Sequence, residues 1–319
     1  MTVYGPVPSR RLGRSLGINT LPSKVCSYSC VYCQAGRTTR LRVRRDMFIR
    51  PEELVEEVAE RVGKLRSRGE IVDYLSFVSN GEPTLDGNLG RTIELLKPLG
   101  IRIAVITNAS LLWQAPVREE LAQADWVSVK VDTVREEQWH RVNRPHHVLR
   151  LPELLEGVRS FADNFPGCLE TETLLVRGVN DCPDDLERTA RYIARLNPVR
   201  ASLSAPVRPP AEPWVEPPTH DVLNRAYQIY RECGLPVEML VAYEGSTFFS
   251  VGDARKDLLA ITAVHPMRED AVREFLSRKN CDWRMVRELI DEGRLVETEY
   301  GGNRFYVTKG TQEIQKRSR

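Results

Sequence analysis

The spacing of hydrophobic residues changes several times along the chain, and each change predicts a new element. Short apolar runs of strand length alternate with longer stretches in which apolar residues recur every three or four positions. The clearest helix covers residues 51–68, because Pro51 stands at its start, acidic residues follow, and Leu54, Val58 and Val62 share one face. The alternation of strands and helices predicts an α/β protein with a parallel sheet.

Six strands are predicted, each followed by a helix. The strands cover residues 15–22, 72–79, 101–108, 125–132, 169–176 and 199–206. The helices cover residues 51–68, 89–100, 116–124, 152–165, 185–197 and 221–234. Because such connections are right-handed, we expect an open sheet or one that curls into a partial (β/α)6, TIM-like barrel. A ligand is expected at the carboxyl ends of the strands in either case.

The last part of the chain has a different pattern. Residues 268–280 and 282–293 predict two short helices, and two alternating segments then flank the turn residues 301–303. Two helices followed by a two-stranded wing are typical of a winged-helix module. We therefore predict a core domain at residues 1–250 and a small winged-helix-like C-terminal domain at residues 251–319.

Composition limits the cellular context. Of the 319 residues, 41% are hydrophobic and 28% are charged, which is ordinary for a soluble globular protein. No stretch approaches the roughly 20 apolar residues of a membrane span, and the first residues lack the apolar core of a secretory signal. We expect a cytoplasmic protein whose seven cysteines are thiols or metal ligands rather than disulfides.

The net charge of +2 is unevenly distributed. Residues 1–50 carry ten basic side chains against one acid, Asp46, whereas residues 255–319 carry 14 basic and 11 acidic side chains. A basic region around the cysteines favours an anionic substrate, and a solvated basic loop is the alternative. Arg10 and Arg11 are candidates for binding an anion.

Three cysteines, Cys26, Cys30 and Cys33, follow the first predicted strand. A [4Fe–4S] cluster usually takes four thiolates, so three would leave one iron open to another ligand. Zinc is the alternative, but it needs a fourth ligand at a familiar spacing, and no histidine precedes His140. The other cysteines are expected to be buried structural thiols rather than ligands of an auxiliary cluster. They are Cys168, Cys182, Cys233 and Cys281.

The C-x3-C-x2-C spacing after the first strand resembles the signature of the radical SAM superfamily. The segments SNGEPTL, VITNAS, VKVDT and LVRGVND follow in that family's order. The segments PSRRLGRSLGIN, RVNRPH and RPPAE narrow the resemblance to wyosine-synthase-related radical SAM proteins over about residues 1–250. The resemblance implies that S-adenosylmethionine chelates the open iron. Electron transfer from the reduced cluster would then give methionine and a 5′-deoxyadenosyl radical.

The resemblance also implies roles for residues at the strand ends. Tyr32 would pack near the adenine, and Gly81 and Glu82 would hold the methionine amino group through close backbone approach and charge pairing. Lys130 and Asp132 would contact the ribose or the carboxylate of S-adenosylmethionine. Further candidates on the same rim are Asn80, which replaces the family's usual glycine, and Thr107, Asn108 and Ser110. The segment LVRGVND resembles a later backbone motif near the adenine, with Gly178 and Val179 as candidates. His146 and His147 are candidates for substrate contact, with a solvated pair as the alternative.

Three functions stay open. The first is a radical SAM enzyme, reduced by a flavodoxin or ferredoxin, that abstracts hydrogen from a nucleotide or RNA base. Wyosine synthase builds a tricyclic tRNA base and uses a second cluster whose cysteines precede the radical SAM motif, and here no cysteine precedes Cys26. The second is a radical SAM enzyme acting on a small metabolite or a protein, such as a glycyl-radical enzyme. The third is a non-enzymatic iron–sulfur winged-helix sensor.

Overall fold

The computed structural model describes residues 2–241 and 253–309. Its strands are β1 (Val3–Ser9), β2 (Gly13–Ile18), β3 (Val25–Cys26), β4 (Arg40–Leu41), β5 (Tyr74–Phe77), β6 (Arg102–Thr107), β7 (Trp126–Lys130), β8 (Cys168–Leu174), β9 (Arg200–Ser204), β10 (Val237–Leu240), β11 (Met267–Arg268), β12 (Leu295–Tyr300) and β13 (Asn303–Thr308). Its α-helices are α1 (Pro51–Arg66), α2 (Leu89–Leu96), α3 (Ala115–Leu121), α4 (Glu136–Val142), α5 (Leu151–Asn164), α6 (Pro183–Ala194), α7 (His220–Glu232), α8 (Ala254–Val264), α9 (Glu269–Arg278) and α10 (Arg284–Asp291). No helix within these two ranges is long and apolar enough to cross a bilayer.

Eight strands form one sheet in the order β1-β2-β5-β6-β7-β8-β9-β10. Neighbours from β2 to β10 are parallel, and β1 alone runs antiparallel to its neighbour. The prediction of an α/β protein with a parallel sheet is confirmed. The six predicted strands correspond to β2 and β5–β9, whereas the edge strands β1 and β10 are additions. β1 contains two prolines, which are tolerated at a sheet edge but weaken a strand signal in the sequence.

Contacts between distant strands show that the sheet curls. Arg11, in the turn between β1 and β2, pairs with Glu172 on β8 at 3.0 Å and donates to Ser128 on β7 at 3.0 Å. In a flat sheet, four spacings of about 4.8 Å would separate β2 from β8 by roughly 19 Å. An arginine side chain cannot reach that far. The parallel strands therefore enclose a lumen, as those of a partial barrel do.

The two faces of this sheet differ in polarity. The outer face is apolar, and its side chains join those of the helices in one large core, which includes Leu54 and Val58 of α1 with Leu75, Val127 and Leu203 of the strands. The lumen side carries polar side chains that contact one another or Arg11, namely Ser15, Ser76, Ser128, Lys130, Glu172 and Ser204. A polar lumen suits a polar ligand better than an apolar one.

The carboxyl-terminal elements contain α8, α9, α10 and a three-stranded sheet of order β11-β13-β12. The two predicted helices and the hairpin are present, while α8 and β11 are additions. Gly301 and Gly302 both have positive φ, and Tyr300 pairs with Asn303, so the turn has two residues. The apolar core of these elements includes Tyr4 of β1.

Tyr4 fits there because Gly17 on the neighbouring strand has no side chain. A Cβ at Gly17 would lie 2.2 Å from the Tyr4 ring. The Tyr4 hydroxyl also donates to the carbonyl of Val78 at 2.9 Å. The edge strand β1 therefore joins the barrel to the carboxyl-terminal elements.

The proline-rich segment 206–219 packs on the cysteine loop. The backbone N–H of Glu212 donates to the carbonyl of Val31 at 3.0 Å, and Val215 shares an apolar cluster with Val31 and Tyr32. Residues 206–219 therefore form an ordered loop that covers the cysteine loop.

Candidate active site

The three cysteines lie on a loop that crosses the carboxyl end of the sheet. Cys26 ends β3, and the following turn is held by backbone hydrogen bonds from Ser29 to Asn143 and from Val31 to Val142. Burial and the neighbouring Cys30 raise the pKa of Cys26, and burial with the charge of Asp132 raises the pKa of Cys30 to about 12. Binding of a metal or cluster by these thiols must therefore release protons.

The cysteine loop supplies three free thiols as candidate ligands. Among the described residues, no three His, Cys, Asp or Glu side chains converge on a site for one metal ion. Zinc requires four ligands around one ion, whereas a cubane cluster binds one thiolate at each iron. The three thiols lie on one loop, and burial together with Cys30 and Cys33 raises the pKa of Cys26.

On the Cys26 side of the loop, an amide links the thiol to a buried carboxylate. The Asn108 side-chain N–H₂ donates to the Cys26 sulfur at 3.5 Å and to Ser27 Oγ at 3.0 Å. The backbone N–H of Asn108 donates to Glu82 Oε2 at 2.7 Å. Thr84 and Thr107 donate to the other oxygen of Glu82. Glu82 therefore fastens the ends of β5 and β6 together below Cys26.

Burial raises the pKa of Glu82, and these hydrogen bonds partly offset the effect. The adjacent Gly81 is required by packing, because a Cβ there would lie 1.6 Å from the carbonyl oxygen of Val25. Asn80 presents a buried side-chain oxygen that has no hydrogen-bond partner among the described residues. The SNGEP segment thus lies directly against the backbone that leads into Cys26, with an acceptor available for a donor group.

On the Cys30 side, a second amide and a second carboxylate form a similar link. The Asn143 side-chain N–H₂ donates to the Cys30 sulfur at 3.4 Å and to Asp132 Oδ2 at 2.7 Å. The Tyr32 hydroxyl donates to the same carboxylate oxygen, and the backbone N–H of Leu174 donates to Oδ1 at 2.9 Å. Asp132 therefore fastens β7, β8 and the cysteine loop together.

Lys130 lies beside this second link and is paired. Its ammonium is 3.1 Å from Glu172 and 4.9 Å from the centre of the Tyr32 ring. Burial raises the pKa of Glu172, but the charges of Lys130 and Arg11 outweigh it and lower that pKa to about 2. Arg11, which was predicted as a candidate for binding an anion, therefore pairs with an internal carboxylate.

The other predicted residues lie at varied distances from the loop. Val179 packs in the cluster that contains Tyr32, and Ser110 Oγ is hydrogen-bonded to Ser27 Oγ. Gly178 has a positive φ and open space around it. His146 and His147 stack on each other in an exposed turn at a centroid distance of 4.3 Å. Arg10 is exposed.

The four remaining cysteines do not form a metal site within the described residues. Cys168, Cys233 and Cys281 are half-buried, and Cys182 is exposed at the start of α6. The expectation of buried structural thiols is therefore wrong for Cys182, because helix N-caps lie at the protein surface.

Three residues near the loop escaped sequence reasoning. They are Lys24, whose buried ammonium has no hydrogen-bond partner in the described chain, Asn143 and Glu212. Glu212 accepts from Arg37 at 2.7 Å and is also paired with Arg144. The RVNRPH and RPPAE segments contain Asn143 and Glu212, so their presence in the family pattern was the available signal.

Comparison with known proteins decides the family. The model of the radical SAM superfamily matches residues 20–193. This chain belongs to the radical SAM superfamily. A UPF0026 protein of Methanocaldococcus jannaschii is 43% identical to this chain over 310 residues, and the aligned region covers 96% of each chain. The predicted membership is therefore confirmed.

Solved structures share the fold of this radical SAM protein. A radical SAM methyltransferase from Sphaerobacter thermophilus has a TM-score of 0.56 at 19% identity, over 72% of this chain and 67% of that one. TYW1 with a lysine–pyruvate adduct has a TM-score of 0.50 at 18% identity, over 69% of this chain and 73% of that one. Both similarities show a shared fold.

Radical SAM superfamily members are enzymes that use S-adenosylmethionine and a [4Fe–4S] cluster, and the residues of this site suit such a cluster. Two of its sulfurs accept from amide groups, which stabilises thiolates. Burial lowers the pKa of Lys24, and the nearby Cys33 and Cys26 act in the opposite direction. A site that gathers three thiolates needs such donors and positive charge.

Proposed function

We propose that Cys26, Cys30 and Cys33 hold a [4Fe–4S] cluster at which S-adenosylmethionine is reductively cleaved. The observation that carries this proposal is the set of polar groups around the three sulfurs, with Asn108 and Asn143 donating to two of them. When bound, the cluster supplies the electron that cleaves the sulfonium and yields a 5′-deoxyadenosyl radical. That radical would abstract hydrogen from a substrate placed over the lumen.

We assign the methionine amino group to the segment of Asn80, Gly81 and Glu82. Its support is the unpartnered buried oxygen of Asn80 and the close approach of Gly81 to the backbone before Cys26. Glu82 keeps the ends of β5 and β6 in place and contributes negative charge beside an ammonium. Thr107 and Asn108 fix the orientation of this carboxylate.

We assign the adenosine end to the opposite side of the loop. Tyr32 and Val179 line an apolar cluster there, which suits a planar base. Asp132 and Lys130 already have partners in Tyr32, Asn143 and Glu172. Their proposed contribution is to shape the pocket, and a ribose hydroxyl or carboxylate would share these side chains with their present partners.

We propose a nucleotide or RNA base as the substrate. The segment after the cysteine loop supports it, because Arg40 and Arg44 are exposed and make no ion pair with any described acid. Residues 251–319, as a winged-helix-like domain, would dock part of a larger substrate. We place the enzyme in the cytoplasm, where a flavodoxin or ferredoxin would reduce the cluster.

The test of the cleavage reaction is anaerobic reconstitution to four irons, followed by dithionite and S-adenosylmethionine. We expect 5′-deoxyadenosine by liquid chromatography from the native protein and none from Cys26→Ala. Fully loaded native protein that makes no 5′-deoxyadenosine, with and without added cell RNA and metabolite extracts, would overturn the proposal.

The test of the substrate class is RNA binding measured at several salt concentrations. We expect the affinity for RNA to fall steeply as the salt concentration rises. The slope of this salt dependence should be smaller in the Arg40→Ser/Arg44→Ser double variant, because a protein with fewer phosphate contacts releases fewer counterions on binding. Arg188→Ser, on the exposed face of α6, is the control. Binding that is absent or independent of salt would favour a small metabolite or a protein substrate.

A further inference from the structure

Lys24 is buried without a hydrogen-bond partner. Only 4% of its surface is exposed, and its ammonium nitrogen contacts no acceptor in residues 2–241 or 253–309. A buried cation that lacks a partner is costly and rare in folded proteins. Lys24 precedes Cys26 by two residues and therefore adjoins the cysteine loop.

The backbone at Lys24 is also unusual. Its φ is +64°, in the left-handed region that glycine and asparagine adopt at least cost. The carbonyl of Lys24 accepts from the backbone N–H groups of Thr39 and Arg40 at 3.2 and 3.1 Å. The fold thus holds this residue in a conformation that a glycine would adopt more readily. A long cationic side chain at such a position indicates that the charge itself is used.

The ammonium of Lys24 lies near the thiols. Burial lowers the pKa of Lys24, and the nearby Cys33 and Cys26 act in the opposite direction. Cys26 and Cys30 each accept from an asparagine amide, whereas no described side chain donates a hydrogen bond to the Cys33 sulfur. Lys130 and Arg37 also lie near the loop, but each is paired with a carboxylate, Glu172 or Glu212.

We propose that Lys24 is a positioning residue whose ammonium stabilises the reduced form of the cluster from the Cys33 side. This inference rests on the proposed function. Reduction by one electron from a low-potential donor adds a negative charge to a site that already carries three thiolates. A fixed positive charge in a buried environment favours that added charge and raises the reduction potential.

The experiment is a redox titration of the reconstituted protein, without S-adenosylmethionine, followed by electron paramagnetic resonance. Lys24→Met and Lys24→Gln remove the charge, Lys24→Arg retains it, and Lys64→Met removes an exposed charge on α1 that is paired with Glu60. We expect the ratio of reduced to oxidised cluster at a fixed potential to fall about tenfold in Lys24→Met, or about 59 mV for one electron. Lys24→Arg and Lys64→Met should stay within about twofold of the native protein.

The outcomes are distinct. A neutral Lys24 variant with full iron content and the native potential would overturn the inference while the proposed function stands. Loss of the cluster from both neutral variants, with retention in Lys24→Arg, would support a requirement for the charge. Native protein that assembles no [4Fe–4S] cluster would overturn the proposed function itself, and this inference with it.

Discussion

The two sides of the cysteine loop are built alike but differ in their charges. On one side Glu82 and Asn108 support Cys26, and on the other Asp132 and Asn143 support Cys30. Each side joins a buried carboxylate to an asparagine amide, and each amide donates to a sulfur. The arrangement shows how a sequence with three closely spaced cysteines orients two of them with ordinary hydrogen bonds from strand ends and loops.

The two sides differ in the groups that surround each carboxylate. Glu82 accepts from neutral donors alone among the described residues. Asp132 lies within reach of the charge of Lys130. Lys130 pairs with Glu172, which also pairs with Arg11 across the lumen. We conclude that the Cys26 side depends on hydrogen-bond geometry, whereas the Cys30 side also depends on a network of full charges. The following variants test that conclusion.

The largest effect is expected from the cysteines themselves. Replacing Cys30 with Ala should abolish the visible absorption of the cluster near 400 nm and all cleavage of S-adenosylmethionine, because the cluster would lose one of its three thiolate ligands. Cys281→Ala, in the carboxyl-terminal elements, is the matched control and should retain both. Normal iron content in Cys30→Ala would contradict the assignment of this residue as a ligand.

The next largest effect is expected from the lumen network. Glu172→Gln leaves Lys130 and Arg11 without their shared carboxylate and should lower the free energy of unfolding by about 3 kcal/mol at pH 7. Because the pKa of Glu172 is lowered in the folded state to about 2, its contribution is full above its unfolded value, near 4.5, and disappears as the pH falls towards 2. Urea denaturation should therefore show the difference between variant and native protein shrinking below pH 4.5.

Glu170, two positions earlier on β8, is the control for that experiment. Burial raises its pKa, and its Oε2 has no partner among the described residues. The charged form is therefore not favoured by folding, and Glu170→Gln should change the free energy of unfolding by less than about 1 kcal/mol at pH 7. Equal destabilisation by the two substitutions would show that the lumen charges are not organised around Glu172.

A smaller effect is expected on ligand binding. Glu82→Ala should leave iron content unchanged and weaken the binding of S-adenosylmethionine about tenfold, or about 1.4 kcal/mol, through loss of negative charge beside the methionine ammonium. Equilibrium dialysis of the oxidised, reconstituted protein measures the affinity for S-adenosylmethionine. Glu156→Ala, on the exposed face of α5, serves as the control. Unchanged affinity in Glu82→Ala would remove the amino-group role from this segment.

The smallest effect is expected from the two amides. Asn108→Leu and Asn143→Leu each remove one donor to a sulfur, which is worth about 1 kcal/mol. We expect a slightly faster loss of iron to a chelator in both variants, with the larger change in Asn143→Leu because Asp132 then also loses a donor. A larger change in Asn108→Leu would contradict the difference between the two sides.

Much of this site was accessible from the sequence. The cysteine spacing, the strands that end at SNGEP, VITN and VKVD, and the polar residues that follow them predict a rim of ligands on a parallel sheet. Glu82, Thr107 and Asn108 do come together there, as do Tyr32 and Asp132. The hairpin at Gly301 and Gly302 was equally clear, because its turn chemistry is local.

The rest depends on contacts between distant parts of the chain. Asn143 donates to Cys30 although the two residues are 113 positions apart in the sequence. The hydrophobic pattern of the sequence does not predict such a contact. The strand β1 has two prolines, and its burial depends on the carboxyl-terminal core around Tyr4. Lys24 looks like any surface lysine in sequence, since burial is a property of the folded loop.

The ion pair between Arg37 and Glu212 joins residues 175 positions apart. During synthesis from the amino terminus, the three cysteines therefore leave the ribosome long before the proline-rich segment that covers them exists. The cysteine loop passes through a stage in which its thiols are complete but uncovered. The thiols therefore stay uncovered until the chain reaches Glu212, which pairs with Arg37 and Arg144.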